Sequence, residues 1–304
     1  MLQLPERVTS RIKGRILYGE PLKNHTTWRI GGPAEVLVEP ASREDLVAIL
    51  TFLREKGLPL VVIGNGSNLL VSDQGVKGVV IKVGEALAHV SIAGENIIAE
   101  SGAKLGRVAA IAQAAGLSGL EFSVGIPATV GGAVTMNAGA NGAAMADVVE
   151  AVTVIDYAGS QHLLGRKELD FGYRWSRLQE LQAIVVEVVL KLVPCDPLEI
   201  KRRSEGYLQK RRLTQPLEYP SAGSVFKNPP GDAAGRLIEL AGAKGLRVGD
   251  AMVSERHANF IVNLGNARAQ DVLQLIRRVQ EMVWSKFSVW LDLEVKALGD
   301  SGAG

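Results

Sequence analysis

Cysteine is nearly absent from this chain, with Cys195 alone among 304 residues. That excludes an internal disulfide and any site built from several thiolates, fits a reducing compartment, and leaves Cys195 read as inert. Histidine is scarce, with 4 in all, and neither His25 nor His257 has a second histidine at metal-ligand spacing. With no HExxH or CxxC either, no metal site is expected. Excess charge is missing too. The balance of 34 basic against 32 acidic residues gives +2, which offers no electrostatic reason for a nucleic-acid or anionic-membrane partner. The N-terminal MLQLPERVTSRIKGR lacks a signal-peptide core, and no apolar run approaches the length that spans a bilayer. A soluble, cytoplasmic chain is expected, working as a monomer or weak oligomer. No GxxxxGK[ST] occurs, which argues against a nucleoside triphosphatase, and no GxSxG surrounds Ser224, which argues against an acyl-transfer serine.

What is present is an ordinary globular composition, 47% apolar and 22% charged, in a length that suggests two domains. Glu35 to Glu39 reads as a strand, Ser42-Arg43-Glu44-Asp45 as a capping box opening a helix that ends before Gly57, and Leu60 to Ile63 as a buried strand. Together they suggest one β-α-β unit with parallel strands. Strands are predicted at Gly78 to Val83, His89 to Ala93, Asn96 to Glu100, Ala151 to Asp156 and Ala183 to Val193, with a helix over Leu105 to Ala115. Pro194 to Pro197 marks a domain boundary ahead of a charged helix, Leu198 to Arg212. The basic residues Lys201, Arg202, Arg203, Lys210, Arg211 and Arg212 in that helix fit a solvated face, with contact to a phosphorylated ligand as the other reading. Further on, Ala233 to Ala241 reads as a helix, His257 to Asn263 as a strand and Asp271 to Phe287 as an amphipathic helix buried along Val272, Leu275, Ile276, Val279, Met282 and Val283. Val289 to Leu298 alternates, so Asp292, Glu294 and Lys296 are expected on one face of a closing strand.

Glycine is plentiful at 34 residues and gathers in blocks. Gly64-Asn65-Gly66-Ser67-Asn68 follows a buried strand, but Leu69 stands where a third GxGxxG glycine would, and the residues beyond look like strand. A strand-loop-strand nest of backbone N–H groups able to wrap a pyrophosphate remains, beside the alternative of a plain glycine turn. The second block, GIPATVGGAVTMNAGANG from 125 to 142, is too rich in glycine for a plain core helix. Its Gly131-Gly132 pair permits close backbone approach, and Pro127, Met136 and Asn137 add a rigid corner, an apolar surface and an amide. A flat aromatic cofactor needs such a surround, and the two blocks together favour a dinucleotide cofactor over packing alone. Arg174 in FGYRWS could be held against a developing anion. Glu294, in the closing segment, reads from the strand alone as solvated or lysine-paired. Pro220 to Pro229, PSAGSVFKNP, sets the Ser224 hydroxyl, the Lys227 ammonium and the Asn228 amide in a stiff loop where all three could reach one ligand, beside the alternative of a turn whose serine and asparagine bond their own backbone.

Several motifs in order resemble the UDP-N-acetylenolpyruvoylglucosamine reductases of peptidoglycan synthesis: NHTTWRIGGPA, GNGSNLLVSDQGVKGVVI, SVGIPATVGGAVTMNAGANG, FGYRWS, PSAGSVFKNP, LIELAGAKGLRVGDAMVSERHANFIVN and LDLEVKALG. The resemblance runs from about Asn24 to Gly299. It implies an α+β protein: an N-terminal arm over 1–27, a vanillyl-alcohol-oxidase (PCMH-type) FAD-binding domain of two α/β subdomains over 28–194, and a smaller α+β substrate-binding domain over 195–304 that contributes Glu294 to the site. It implies non-covalent FAD, NADPH as reductant and UDP-N-acetylglucosamine enolpyruvate as substrate, with ping-pong kinetics because both substrates share one cleft.

Carried over by position, the resemblance makes Ser224 the proton donor, Arg174 the arginine that stabilises the enolate and Glu294 its companion in the site. Gly64, Asn65, Gly66, Ser67 and Asn68, with Gly125, Ile126, Pro127, Gly131, Gly132, Ala133 and Asn137, fall in the family's FAD loops. Lys227, Asn228 and Tyr173 are expected at the substrate, Lys227 either binding phosphate or supporting the Ser224 alkoxide. The chain departs from the family at Ala128 and Ser288, where glycine is usual, at Asn141, where tyrosine is common, and at Asp292, where glutamate is usual. The short span from Arg174 to Pro194 resembles the class lacking a tyrosine-bearing substrate loop. Two other functions share parts of this pattern. An oxygen-using oxidase on the same flavin fold often tethers its cofactor through a histidine in the first glycine loop, and residues 64–73 contain none. A flavin- or nucleotide-sugar-binding protein without turnover should lack the Arg174, Ser224 and Glu294 set.

Overall fold

The computed structural model describes residues 2–299, so Met1 and residues 300–304 of the expected terminal regions lie outside the described part. The chain forms two compact units, each assembled from separated segments. The first comprises Met1–Tyr18, Val36–Asn65 and Gly78–Lys210, and the second Gly19–Glu35, Gly66–Lys77 and Arg211–Gly304. The division therefore falls at Lys210, beyond the prolines at 194 and 197, and two early segments belong with the C-terminal unit. The prolines do not end the first unit because Val193–Pro194 pairs with Leu117–Ser118 and the helix Pro197–Thr214 starts directly after. Within that helix Arg203 pairs with Glu199 at 2.8 Å and with Glu121 at 3.3 Å, while Lys201 lies 3.9 Å from Glu205.

Arg15–Pro21, Pro33–Glu39, Val76–Lys82 and Leu60–Ile63 lie side by side in that order. Leu60–Ile63 is parallel to Val76–Lys82, with Leu60 opposite Val79. The two strands of the expected β-α-β unit are thus not neighbours. Val79, Val80 and Ile81 are fully buried, so the most apolar strand takes the inner position between them. The helix Arg43–Lys56 begins where Ser42 Oγ accepts from Asp45 N at 3.3 Å and stops at Gly57, whose φ of 60° few other residues adopt. Leu46, Ile49, Leu50, Phe52 and Leu53 form its buried stripe against Val36, Val38, Val79 and Ile81. Full burial of each such side chain is worth about 1.5–3 kcal/mol. The Asp45 carboxylate accepts from Lys13 N, Gly14 N and Ala41 N at 2.8–3.1 Å, which pins the N-terminal arm to the helix start.

An antiparallel sheet completes the first unit in the order Gln161–Gly165, Val149–Asp156, Ala183–Lys191, Asn96–Glu100 and Val90–Ala93. Val152, Val188, Leu190, Ile97 and Ala99 from its strands pack with Leu105, Val108 and Ala112 of the helix Leu105–Ala114. The second glycine block also contributes a short helix, Val130–Thr135, and its Val130, Ala133 and Val134 enter the same core.

The second unit is built on Ala269–Phe287, whose Val272, Leu275, Ile276, Val279 and Val283 are buried as their spacing predicts, with Met282 partly buried. Facing residues come from the helix Ala234–Leu240 and from the antiparallel strands Arg247–Val248, Ala251–Val253 and Ile261–Asn263. Only the end of the expected His257 to Asn263 strand is extended, because Ser254 Oγ and His257 bind the backbone of a turn at 254–260. Trp28 is fully buried here, donating Nε1–H to Ile261 O at 2.9 Å and accepting from Asn263 Nδ2 on its carbonyl at 3.0 Å. At the chain's end the expected long alternating strand is confined to Lys296–Leu298, parallel to Leu69–Val71. Leu293 is exposed rather than core, because the backbone around it pairs with Phe226 at one isolated bridge instead of continuing a ladder. Asp292 and Lys296 are exposed and Glu294 is half-buried, and of the three only Lys296 lies in the strand. Ser288 closes the helix Ala269–Phe287 with φ 56°, a conformation glycine adopts without cost.

Candidate active site

In the first unit the two glycine blocks meet. Gly64 follows Leu60–Ile63 so closely on Thr129 that a Cβ placed on it would stand 2.3 Å from Thr129 Oγ1. Beside it Asn65 Nδ2 donates to Pro127 O at 2.6 Å. Thr129 Oγ1 in turn accepts from Gly132 N at 3.4 Å, capping the helix Val130–Thr135. A third stretch joins them, with Leu105 N donating to Ala128 O at 2.9 Å, Val130 N to Ala103 O at 2.8 Å and Gly131 N to Ser101 O at 2.9 Å. A Cβ on Gly131 would lie 2.8 Å from Ser101 Cβ, so the backbones approach more closely than side chains permit.

Ser101 is 2% exposed, and its Oγ is buried without a hydrogen-bond partner. A buried hydroxyl in that condition costs about 1–3 kcal/mol, and a ligand polar atom would relieve it. Gly125, Pro127, Gly132 and Asn65 remain exposed around it, Ile126 is half-buried, and Ala133 is in the core. Backbone groups with small side chains suit the edge and face of a flat heteroaromatic group, so these residues fit FAD. The sequence reading passed over Ser101. Its signal is the small run Ser101-Gly102-Ala103 directly after the strand Asn96–Glu100.

Asn137, at φ 43° and 6% exposed, ties this region to FGYRWS. Its Nδ2 donates to Gly172 O at 2.7 Å and its Oδ1 accepts from Ala146 N at 2.9 Å, so both ends of the amide hold backbone. Gly172 and Trp175 bridge across the turn, which leaves Tyr173 and Arg174 at its tip. Tyr173 is 54% exposed, and the Arg174 guanidinium lies 5.3 Å from the centre of its ring. Arg174 itself has φ 55°, donates Nη2 to Gly139 O at 2.9 Å and accepts on its carbonyl from Gln179 Nε2 at 3.2 Å. A non-glycine residue in the left-handed region costs about 1–2 kcal/mol, so these contacts hold Arg174 against a local preference.

The remaining candidates belong to the second unit. Gly66, at φ 62°, faces the His25 carbonyl so closely that a Cβ would stand 2.1 Å from it. Ser67 and Asn68 are half-buried, and Asn68 Nδ2 donates to Glu294 O at 3.0 Å while its carbonyl accepts from Lys296 N at 2.9 Å. The serine loop is anchored at its start by Asn263 N to Pro220 O at 2.9 Å and Thr27 Oγ1 to Ser221 O at 2.8 Å. Further along, Glu294 N donates to Val225 O and Lys227 N to Asp292 O, both at 2.8 Å. Ser224, Lys227 and Glu294 are therefore carried on two segments bonded backbone to backbone, with all three side chains half-buried. Asn228 is exposed, and its Oδ1 accepts from Ala234 N at 3.1 Å, capping a helix whose own N-cap, Ala233, has no acceptor. Among the described residues no group of histidine, cysteine and carboxylate side chains is gathered for a metal ion.

Residues 34–165 match the family model of an FAD binding domain, and residues 215–298 match the C-terminal domain of UDP-N-acetylenolpyruvoylglucosamine reductase. The glycine cradle lies largely within the first match and the serine loop with Glu294 within the second, which defines the chain as a flavoprotein oxidoreductase. Proteins named UDP-N-acetylenolpyruvoylglucosamine reductase are similar along nearly the whole length. The one from Moorella thermoacetica is 52% identical and 95% of each chain is covered. In Symbiobacterium thermophilum, UDP-N-acetylenolpyruvoylglucosamine reductase 2 is 51% identical over 98% of each. The crystal structure of the Thermus caldophilus reductase is 45% identical and superposes with a TM-score of 0.82, covering 95% of this chain and 100% of that one. The chain belongs to the UDP-N-acetylenolpyruvoylglucosamine reductase family. Its fold is accordingly the α+β one expected, an FAD-binding domain with an α+β C-terminal domain.

Proposed function

We infer that this chain is an NADPH-dependent, FAD-containing reductase that converts UDP-N-acetylglucosamine enolpyruvate to UDP-N-acetylmuramate in peptidoglycan synthesis. The observation that supports the reading best is the bonded frame of Val225 to Lys227 and Asp292 to Val295, which ties together the backbone of the two segments that carry Ser224, Lys227 and Glu294. FAD, when bound, would supply the hydride-transfer chemistry that links NADPH to the methylene carbon of the enolpyruvyl ether. Gly64, Asn65, Ser101, Pro127, Gly131 and Gly132 would hold it.

Hydride addition leaves an electron pair on the carbon bearing the carboxylate and the ether oxygen. Arg174 stabilises that enolate with a planar, permanently charged donor. Ser224 Oγ–H donates its proton to the same carbon, completing a lactyl ether, and Lys227 offsets the charge that builds on the serine oxygen or on substrate phosphate. Glu294 accepts hydrogen bonds in the site and orders the polar groups there, and Tyr173 and Asn228 are assigned to substrate contact. Serine is a weak acid in water, so its role depends on fixed surroundings rather than on its intrinsic pKa. The substrate is a water-soluble nucleotide sugar and no helix among the described residues is long and apolar enough to cross a membrane, which supports action in the cytoplasm.

Because reductant and substrate are read as using one cleft in turn, initial rates measured by NADPH consumption over a grid of both concentrations should give parallel double-reciprocal lines. Intersecting lines would contradict the shared cleft.

A further inference from the structure

Asn259 lies within HANFIVN, has been given no role above, and is 4% exposed. Its carbonyl accepts from Val225 N at 2.9 Å. Its side chain forms two further bonds with one residue, Oδ1 accepting from Phe226 N at 2.9 Å and Nδ2 donating to Phe226 O at 2.8 Å. The other backbone group of this dipeptide, Val225 O, accepts from Glu294 N at 2.8 Å and Val295 N at 3.4 Å. The backbone polar groups of Val225 and Phe226 are thus all engaged, and Asn259 holds all but one. These are the two residues between Ser224 and Lys227.

We propose that Asn259 is a positioning residue for the reaction, whose amide sets the Ser224 hydroxyl and Lys227 ammonium against Glu294 by gripping both hydrogen-bonding groups of Phe226. The proposal rests on the assignment of Ser224 as proton donor. Gly223 turns the chain at φ 77°, a conformation glycine adopts without cost, and on the far side Ser224 is held through the engaged backbone of Val225 and Phe226. An amide is the neutral group that presents one donor and one acceptor side by side to a peptide unit. Leucine or alanine would leave two buried backbone groups unpaired. Aspartate would satisfy Phe226 N–H but set a second anionic oxygen against Phe226 O, and only its protonated form restores both bonds. His257 supports the grip from behind, its Nδ1 accepting from Asn259 N at 3.2 Å while its ring packs on Phe260.

The test uses the FAD-loaded Asn259→Asp and Asn259→Ala proteins, with Ser224→Ala in parallel, in anaerobic stopped-flow with the two half-reactions measured separately. Bleaching of the flavin by NADPH should stay within about 2-fold of the parent, because that step does not need Ser224. Reoxidation at saturating UDP-N-acetylglucosamine enolpyruvate should slow about 10–100-fold, the usual cost of misplacing a reacting group by about 1 Å. For Asn259→Asp the deficit relative to the parent should shrink as pH falls and the carboxyl protonates, a response that a loss of packing would not give. If Asn259→Ala does not fold, this pH-dependent recovery in Asn259→Asp still decides. Parent-like reoxidation, or equal slowing of both half-reactions with no pH recovery, overturns the role of Asn259. Parent-like reoxidation by Ser224→Ala instead overturns the proton-donor assignment itself, and the two failures are distinguishable.

Discussion

Adding one methyl group at Gly64 should weaken FAD binding, and removing the side chain it strikes should restore much of the loss. Gly64 is not in the left-handed region, so alanine there is compatible with the backbone and any cost comes from crowding. The new Cβ would stand 2.3 Å from Thr129 Oγ1 but 3.4 Å from Thr129 Cβ and Cγ2. The oxygen must therefore retreat by close to an ångström, drawing the start of Val130–Thr135 with it and loosening the cap on Gly132. Overpacking of this kind costs about 1–3 kcal/mol, or roughly 5- to 150-fold in affinity if it falls on the bound state. Thr129→Ala alone loses the cap, worth about 0.5–2 kcal/mol. In Gly64→Ala/Thr129→Ala the clashing oxygen is absent, so the double variant should cost little more than Thr129→Ala and fall short of the sum by about 1–2 kcal/mol. Titration of apo-protein with FAD, followed by flavin fluorescence, measures the cycle, with the melting temperature of each apo-protein reporting stability. Strict additivity, or parent-like FAD affinity for Gly64→Ala, would refute the claim that these loops close on one another to form the cradle.

Arg174→Lys keeps a charge but loses the guanidinium fork, and flavin reoxidation by substrate should fall about 10²-fold while bleaching by NADPH is nearly unchanged. Parallel losses in both half-reactions would argue against enolate stabilisation. Burial pushes the His257 ring below its ordinary 6.5, with Lys244 nearby acting in the same direction and Glu239 against it. The unfolded chain then binds a proton that the folded one resists, so stability should fall as pH drops through 6.5 and level off only below the folded-state value. His257→Phe should flatten that part of the melting-temperature profile, and an unchanged slope would remove His257 as its source. Ser288, held at φ 56°, should accept glycine with a gain of up to about 1 kcal/mol, and a lower melting temperature for Ser288→Gly would contradict the strain.

Local periodicity made some of this architecture legible. The three- and four-residue spacing of Val272 to Val283 names the buried face of the last helix, and Ser42 to Asp45 marks the start of another. Alternation misled at Val289 to Leu298, because Leu293 sits at a single bridge to Phe226 and is not turned inward by a continuous ladder. The division into units was also hidden, since residues 19–35 and 66–77 join the C-terminal segment through contacts such as Trp28 to Ile261, which linear order does not reveal. At the site, residue type and setting drew attention to Arg174 and to the loop of Ser224, whereas Glu294 read from its strand as solvated or lysine-paired and entered only through the family resemblance. Residue type could not find Ser101 or Asn259, a small polar residue after a strand and an amide in an apolar run, whose importance lies in a partner far along the chain.

The central claim, reduction of an enolpyruvyl ether by a flavin that NADPH has first reduced, is tested most directly by anaerobic double-mixing stopped-flow on the FAD-loaded protein. NADPH should bleach the flavin absorbance, and UDP-N-acetylglucosamine enolpyruvate added next should restore it without oxygen, yielding UDP-N-acetylmuramate. A flavin that bleaches yet stays reduced until oxygen is admitted would contradict the account and favour an oxidase.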